Sequence, residues 1–199
     1  TYKTLVVSLN RWAFLALCLL LQLLRINQYY SHPIKHTDST DMPVCLNKNA
    51  RNHKTMAGLA GWGKTGKGYY FGLKMHLTCD LKGQLVAVAF SLTGKDDRVM
   101  FSKMNKNMDG VFVADAGYIS RKLQEEFYLE NKRILFVKPK KNMRKLITSW
   151  QYHLYNTRVQ IEASIRSLKL FYGLVSSLPR SVGGYLANYV YSLLAYVLA

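Results

Sequence analysis

The spacing of hydrophobic positions changes several times along the chain, and each change predicts an element boundary. From Tyr2 to about Gln28 apolar residues occupy nearly every side of a helical wheel, which predicts a helix packed on most of its faces. Lys35 to Thr40, between Pro33 and Pro43, reads as a short extended piece. Asn47 to Gly68 loses the pattern and is basic and glycine-rich, so it reads as a loop. Gly68 to Cys79 alternates aromatic and small residues and predicts a strand. Asp80-Leu81-Lys82-Gly83 is a turn, and Gln84 to Leu92 is a second strand, giving a hairpin.

Beyond Gly94 the period lengthens. Asp96 to Met108 predicts a helix with an acidic start, and Gly110 to Ala114 a short apolar strand ending at Asp115. Ser120 to Asn131 is a helix behind a serine cap, and Arg133 to Val137 a strand closed by Lys138-Pro139. Ser149 to Leu170 reads as one long helix, and Val182 to Ala199 as a final apolar one rich in Tyr, Leu and Ala. Apolar strands alternating with helices predict an α/β fold whose mixed sheet sets an antiparallel hairpin beside parallel strands.

Charge narrows the function classes. Lys and Arg total 28 against 11 Asp and Glu, a formal net charge of +17. Between Glu130 and Glu162 there is no carboxylate, while Lys132, Arg133, Lys138, Lys140, Lys141, Arg144, Lys145 and Arg158 all fall there. Such a surface repels itself unless a polyanion neutralises it, and nucleic acid fits best; a solvated basic face or anionic lipid are the other readings. Cys18, Cys45 and Cys79 are isolated, with no CxxC spacing, which argues for a reducing compartment and against a disulfide framework or zinc site. The apolar run Trp12 to Leu24 is about 13 residues, shorter than the roughly 20 that span a bilayer, so a buried helix and no membrane partner are expected.

With so few acids, their positions are informative. Asp38 lies in the extended segment His36-Thr37-Asp38-Ser39-Thr40-Asp41, Asp115 ends a buried strand, and Glu162 stands in a basic helix. If the first strand and the strand ending at Asp115 are neighbours, Asp38 and Asp115 project side by side, and a helix packed over that edge adds Glu162. Converging carboxylates in a basic protein suit Mg²⁺ or Mn²⁺, hard ions that take oxygen ligands and substrate phosphate. The blander readings are a turn or cap role for Asp115, a solvated pairing with Arg for Glu162, and Asp41 in place of Asp38 as the reactive acid.

The spacing Tyr155-x2-Arg158-x3-Glu162-x6-Lys169 resembles the Tyr-Arg-Glu-Lys signature of insertion-sequence transposases, which carry a DDE triad on a ribonuclease-H-like fold. His36 to Thr40 followed by Pro43-Val44-Cys45 resembles the first-Asp block of one group of these enzymes, and Ala114 to Ser120 the second-Asp block. Gly72 to Leu77, Asp96-Asp97-Arg98 and Lys138 to Met143 resemble the intervening strand, the next helix start and the basic loop after the last strand.

The resemblance implies a ribonuclease-H-like catalytic domain over 31–175. Residues 1–30 would be the terminal helix of a DNA-end-recognition region, and 176–199 a C-terminal helix packed on the domain. It implies Asp38, Asp115 and Glu162 as catalytic metal ligands for Mg²⁺ or Mn²⁺, two ions in all. Tyr155, Arg158, Lys169, Lys140 and Lys141 would contact DNA. The implied chemistry is hydrolysis at the transposon end and attack of the freed 3′-hydroxyl on target DNA, by a homodimer in the bacterial cytoplasm at the nucleoid; a catalytically decayed DNA-binding remnant is the alternative. Lys74 and His76 are candidate near-site residues. The chain departs from the pattern at Ala116, where a Lys is usual, at Ser91 to Lys95, and at the acidic Asp41.

Overall fold

The computed structural model describes residues 1–66, 68–140, 143, 146–175 and 179–199. Six strands form one mixed sheet: β1 (Ile34–Pro43), β2 (Gly61–Thr65), β3 (Gly68–Asp80), β4 (Leu85–Leu92), β5 (Val111–Ala114) and β6 (Ile134–Val137). The helices are α1 (Tyr2–Tyr30), α2 (Asp97–Met104), α3 (Arg121–Asn131), α4 (Ser149–Asn156), α5 (Val159–Leu170) and α6 (Val182–Leu198).

The order β2-β3-β1-β5-β6 places β1 at the centre, antiparallel to β3 and parallel to β5, with β6 parallel beyond. β3 is long enough to pair with β4 over residues 73–79 and with β2 over 68–72. This is the expected mixed α/β sheet of ribonuclease-H-like type, flanked by helices with an N-terminal and a C-terminal apolar helix.

Both sheet faces are covered, so β3 reads apolar on one side and polar yet buried on the other. Met75, Leu77 and Cys79 join Leu20 and Leu24 of α1, Ile161 and Leu168 of α5 and Tyr185, Tyr189 and Leu193 of α6 in one core. Phe112, Ala114, Leu135 and Val137 pack with Phe101 of α2 and Phe127 of α3 in a second. Thr37 and Thr78, buried between strands, satisfy each other at 2.9 Å, and Thr78 also donates to Asn105 at 2.8 Å. Buried hydroxyls without such partners would cost free energy on folding. Asp80, fully buried, closes the hairpin by accepting from the Lys82 and Gln84 amides, both at 2.9 Å.

Three expectations change. The loop Asn47–Gly68 contains a 3-10 turn (Asn47–Asn52) and the strand β2, because Gly61 and Gly63 let Trp62 and Lys64 pair with β3 opposite Phe71 and Tyr69. The helix 149–170 is two helices: the Thr157 hydroxyl donates to the Leu154 carbonyl at 2.7 Å and interrupts the ladder. The third concerns α1, where the length argument from Trp12–Leu24 does not carry. The whole helix has 29 residues and a window of mean hydropathy 1.9, long and apolar enough to cross a membrane by length and composition, and only 11% of that window is buried, so it is not packed on most of its faces. Its C-terminal half docks on the sheet: Leu20 and Leu24 are buried, and Asn27 and Gln28 donate to the Leu85 and Val86 carbonyls at 2.9 and 2.8 Å.

Candidate active site

β1 and β5 pair in parallel only as far as Thr37 opposite Ala114. The next residue on each strand is an acid, Asp38 and Asp115, so the two carboxylates leave the sheet together at the crevice beyond its strand ends, where open α/β sheets bind ligands. Asp115 heads a 3-10 turn, Ala116–Tyr118, without making a side-chain cap bond, so its carboxylate is not consumed by the turn. α5 brings the third acid. Glu162 lies in its first turn and Arg158 at its N-cap, four residues apart and on one side.

All three acids meet one cation. The Arg158 guanidinium is 2.6 Å from Asp38 Oδ2, 3.3 Å from Glu162 Oε1 and 3.8 Å from Asp115 Oδ1. The other Asp38 oxygen, Oδ1, accepts from the Ser39 amide at 2.8 Å. Burial pushes the Asp38 carboxyl above the usual carboxylate range, while Arg158 and the Ser39 amide pull the other way. Burial opposes the charge on Arg158 too, but Asp38, then Asp115, outweigh it and hold its pKa above the ordinary value. The guanidinium stays charged at neutral pH and donates to the Asp38 carboxyl at 2.6 Å. Asp115 and Glu162 are over half exposed, at 52% and 58%, and keep freedom to turn.

The break between α4 and α5 sets Arg158 in place. Because the Thr157 hydroxyl donates to Leu154, it accepts from His36 Nε2 at 2.8 Å, which assigns the Nε2–H tautomer to His36. Burial pushes the His36 pKa down to about 4, with the Arg158 charge acting in the same direction. His36 is one strand pleat from Asp38, so one strand face carries both the first acid and the anchor of the helix break beside Arg158.

The other signature residues separate. Tyr155 lies on α4, not on the helix of Glu162, and reaches the site by accepting from Arg158 Nη1 at 3.4 Å, while the Lys138 ammonium stands 4.6 Å over its ring. Lys169 binds Asp41, at 3.0 Å to Oδ1 and 2.8 Å to the carbonyl, so Asp41 has its own cation and does not join the group at Arg158. Lys140 is exposed on the loop after β6; Lys141, with Lys67, Arg144 and Lys145, lies outside the described residues.

Asp38, Asp41, Asp97 and Asp115 also open into a cleft of about 510 Å³ that Lys64, Thr65, Lys74 and Tyr118 line. Lys74 pairs with Asp97 at 2.9 Å, and the buried His76 bonds Ser91 at 2.8 Å through Nε2 with its Nδ1 3.9 Å from the same Asp97 oxygen. Asp97 was legible only as an acidic helix start, and Tyr118, buried beneath the cleft, only as part of the second-Asp block.

Carboxylate oxygens are the donors that hard divalent ions take, and three sets of them here meet only one cation. As the side chains stand, no three Asp, Glu, His or Cys among the described residues gather closely enough to ligate one ion. The group fits such an ion in chemistry and charge, with Arg158 as its cation and two of its acids exposed enough to rotate.

No curated protein and no solved structure matches the chain. One family does, described as the transposase DDE domain, over residues 30–181, a span that contains Asp38, Asp115, Glu162, the cleft and the helix break. The chain thus belongs to the transposase DDE domain family, enzymes that act on DNA and generally use divalent metal ions.

Proposed function

We propose that the chain is the catalytic domain that cuts DNA at a transposon end and joins the freed 3′-hydroxyl to target DNA, with Asp38, Asp115 and Glu162 as ligands of Mg²⁺ or Mn²⁺. The observation that carries this reading is the meeting of three acids from β1, the end of β5 and α5 at one guanidinium. What such ions supply when bound is Lewis-acid polarisation of a phosphoryl oxygen and an oxygen nucleophile usable at neutral pH.

The chain's own groups do the rest. Arg158 has a planar fork of donors suited to two phosphate oxygens, and a phosphodiester entering the crevice competes for it with Asp38 and Glu162. Tyr155 flanks Arg158, Lys138 covers the Tyr155 ring, and both add to the strand-binding surface, with Lys140 and Lys141 as further DNA contacts in the basic sequence that follows, while Lys169 approaches DNA from the Asp41 side. The net charge of +17 draws DNA to the protein without regard to sequence, so binding weakens steeply with salt. The same reading makes the active species a homodimer on nucleoid DNA in a bacterial cytoplasm; sedimentation with and without a DNA duplex tests the dimer, and a monomer in both contradicts it.

The test is nicking of supercoiled plasmid by the full chain with Mg²⁺ or Mn²⁺, beside Asp115→Ala. Metal-dependent nicking lost in the variant is the expected result. DNA binding without nicking in either protein would replace the catalytic reading with a DNA-binding one.

A further inference from the structure

Asp97 is by position an ordinary helix residue, the first of α2 behind its Asp96 cap. Its contacts are not those of a capping acid. Oδ2 accepts from the Ser39 hydroxyl of β1 at 3.1 Å, and Oδ1 accepts from the Lys74 ammonium of β3 at 2.9 Å. Both carboxylate oxygens therefore reach out of the helix to the two central antiparallel strands, where those strands form the cleft wall.

The place matters because β1 has just lost a neighbour. Its pairing with β5 ends at Thr37, so from Asp38 onward β1 is laddered only to β3. Asp38 is the first residue on that one-sided stretch, and the amide holding its Oδ1 belongs to Ser39. Tying the Ser39 side chain to α2 fixes the peptide that orients Asp38, in place of the missing strand. Residues that orient a ligand without touching the ion govern metal affinity in this way.

We infer that Asp97 is a positioning residue for Asp38, acting through Ser39, and that it holds Lys74 at the cleft wall for the DNA backbone; the inference rests on Asp38 being a metal ligand. Asp97 touches neither Asp38 nor Arg158 through any hydrogen bond or ion pair among the described residues, so its effect passes through the strand.

The test is a Mn²⁺ binding isotherm of the full chain without DNA, followed by KM and kcat for nicking. Asp97→Ala is expected to weaken Mn²⁺ binding about 10-fold or more. Asp97→Asn, which still accepts from Ser39, restores most of it. Ser39→Ala, which removes only the hydroxyl, reproduces the Ala defect and serves as the readout should Asp97→Ala not fold. Lys74→Ala leaves the isotherm in place and raises KM. An unchanged isotherm in folded Asp97→Ala or in Ser39→Ala overturns the inference. Mn²⁺ binding that is equal in wild type and Asp115→Ala would instead overturn the assignment of the acids on which it rests.

Discussion

Replacing Arg158 by Ala isolates the electrostatics of the acidic group. Asp38 and Arg158 are both mostly buried, with side chains 19% and 12% exposed, and stand 2.6 Å apart. Removing one member of such a pair costs about 3–5 kcal/mol, since the remaining charge is left buried without a partner. Partial access of water to Asp38 places the loss near the lower end, about 3 kcal/mol. Asp115 and Glu162 are too exposed to add more than about 1 kcal/mol each. For a chain of this size about 3 kcal/mol is a fall in Tm of roughly 6–12 °C. A divalent ion that takes the vacated place, at a hundred times its Kd, returns about 2.7 kcal/mol. Wild type gains less, because there the ion competes with the guanidinium. Thermal melts of both proteins, with and without Mn²⁺, therefore carry two expectations: Arg158→Ala is less stable alone, and Mn²⁺ raises its Tm by more than that of wild type. A variant that melts with wild type, or that loses stability and gains no more from Mn²⁺, would refute the reasoning.

Further outcomes follow from neighbouring contacts. His36 has its pKa pushed from 6.5 down to about 4 in the folded chain, first by burial, so the unfolded chain binds more protons between those values. Its contribution is complete above pH 6.5 and is lost as pH falls toward 4, by about 3 kcal/mol; urea melts should show that slope in wild type and a flatter one in His36→Asn, and equal slopes count against the assignment. A Cβ on Gly72 would overlap the Met42 carbonyl oxygen, where β1 pairs with β3. Gly72→Ala should thus cost about 3 kcal/mol in chemical denaturation, and a cost under about 1 kcal/mol would mean that the strands part easily.

The strands other than β2, and the positions of the acids, were legible because they depend on local patterns. The alternation in β3, the apolar run before Asp115 and the Ser120 cap, which accepts from the Leu123 amide at 3.3 Å, each follow from a few adjacent residues. The parallel pairing of β1 with β5, expected only conditionally, fixes Asp38 beside Asp115. Two features escaped because they depend on distant partners. The break at Thr157 is anchored by His36, 121 residues earlier in the chain, and nothing within 149–170 marks it by composition. Asp97 looked like a helix-start acid because its partners, Ser39 and Lys74, are on two other strands. Of the signature residues, Tyr155 meets Arg158 across a helix break, not along one helix face, and Lys169 stands apart at Asp41.

The central claim is that Asp38, Asp115 and Glu162 act as one unit, and plasmid nicking in Mn²⁺ by the three single Ala variants and the triple variant tests it most directly. Groups that act as a unit are strongly non-additive, so each single change should cost nearly as much as all three together. A single variant that keeps most of the wild-type rate, above all Glu162→Ala, would contradict the account.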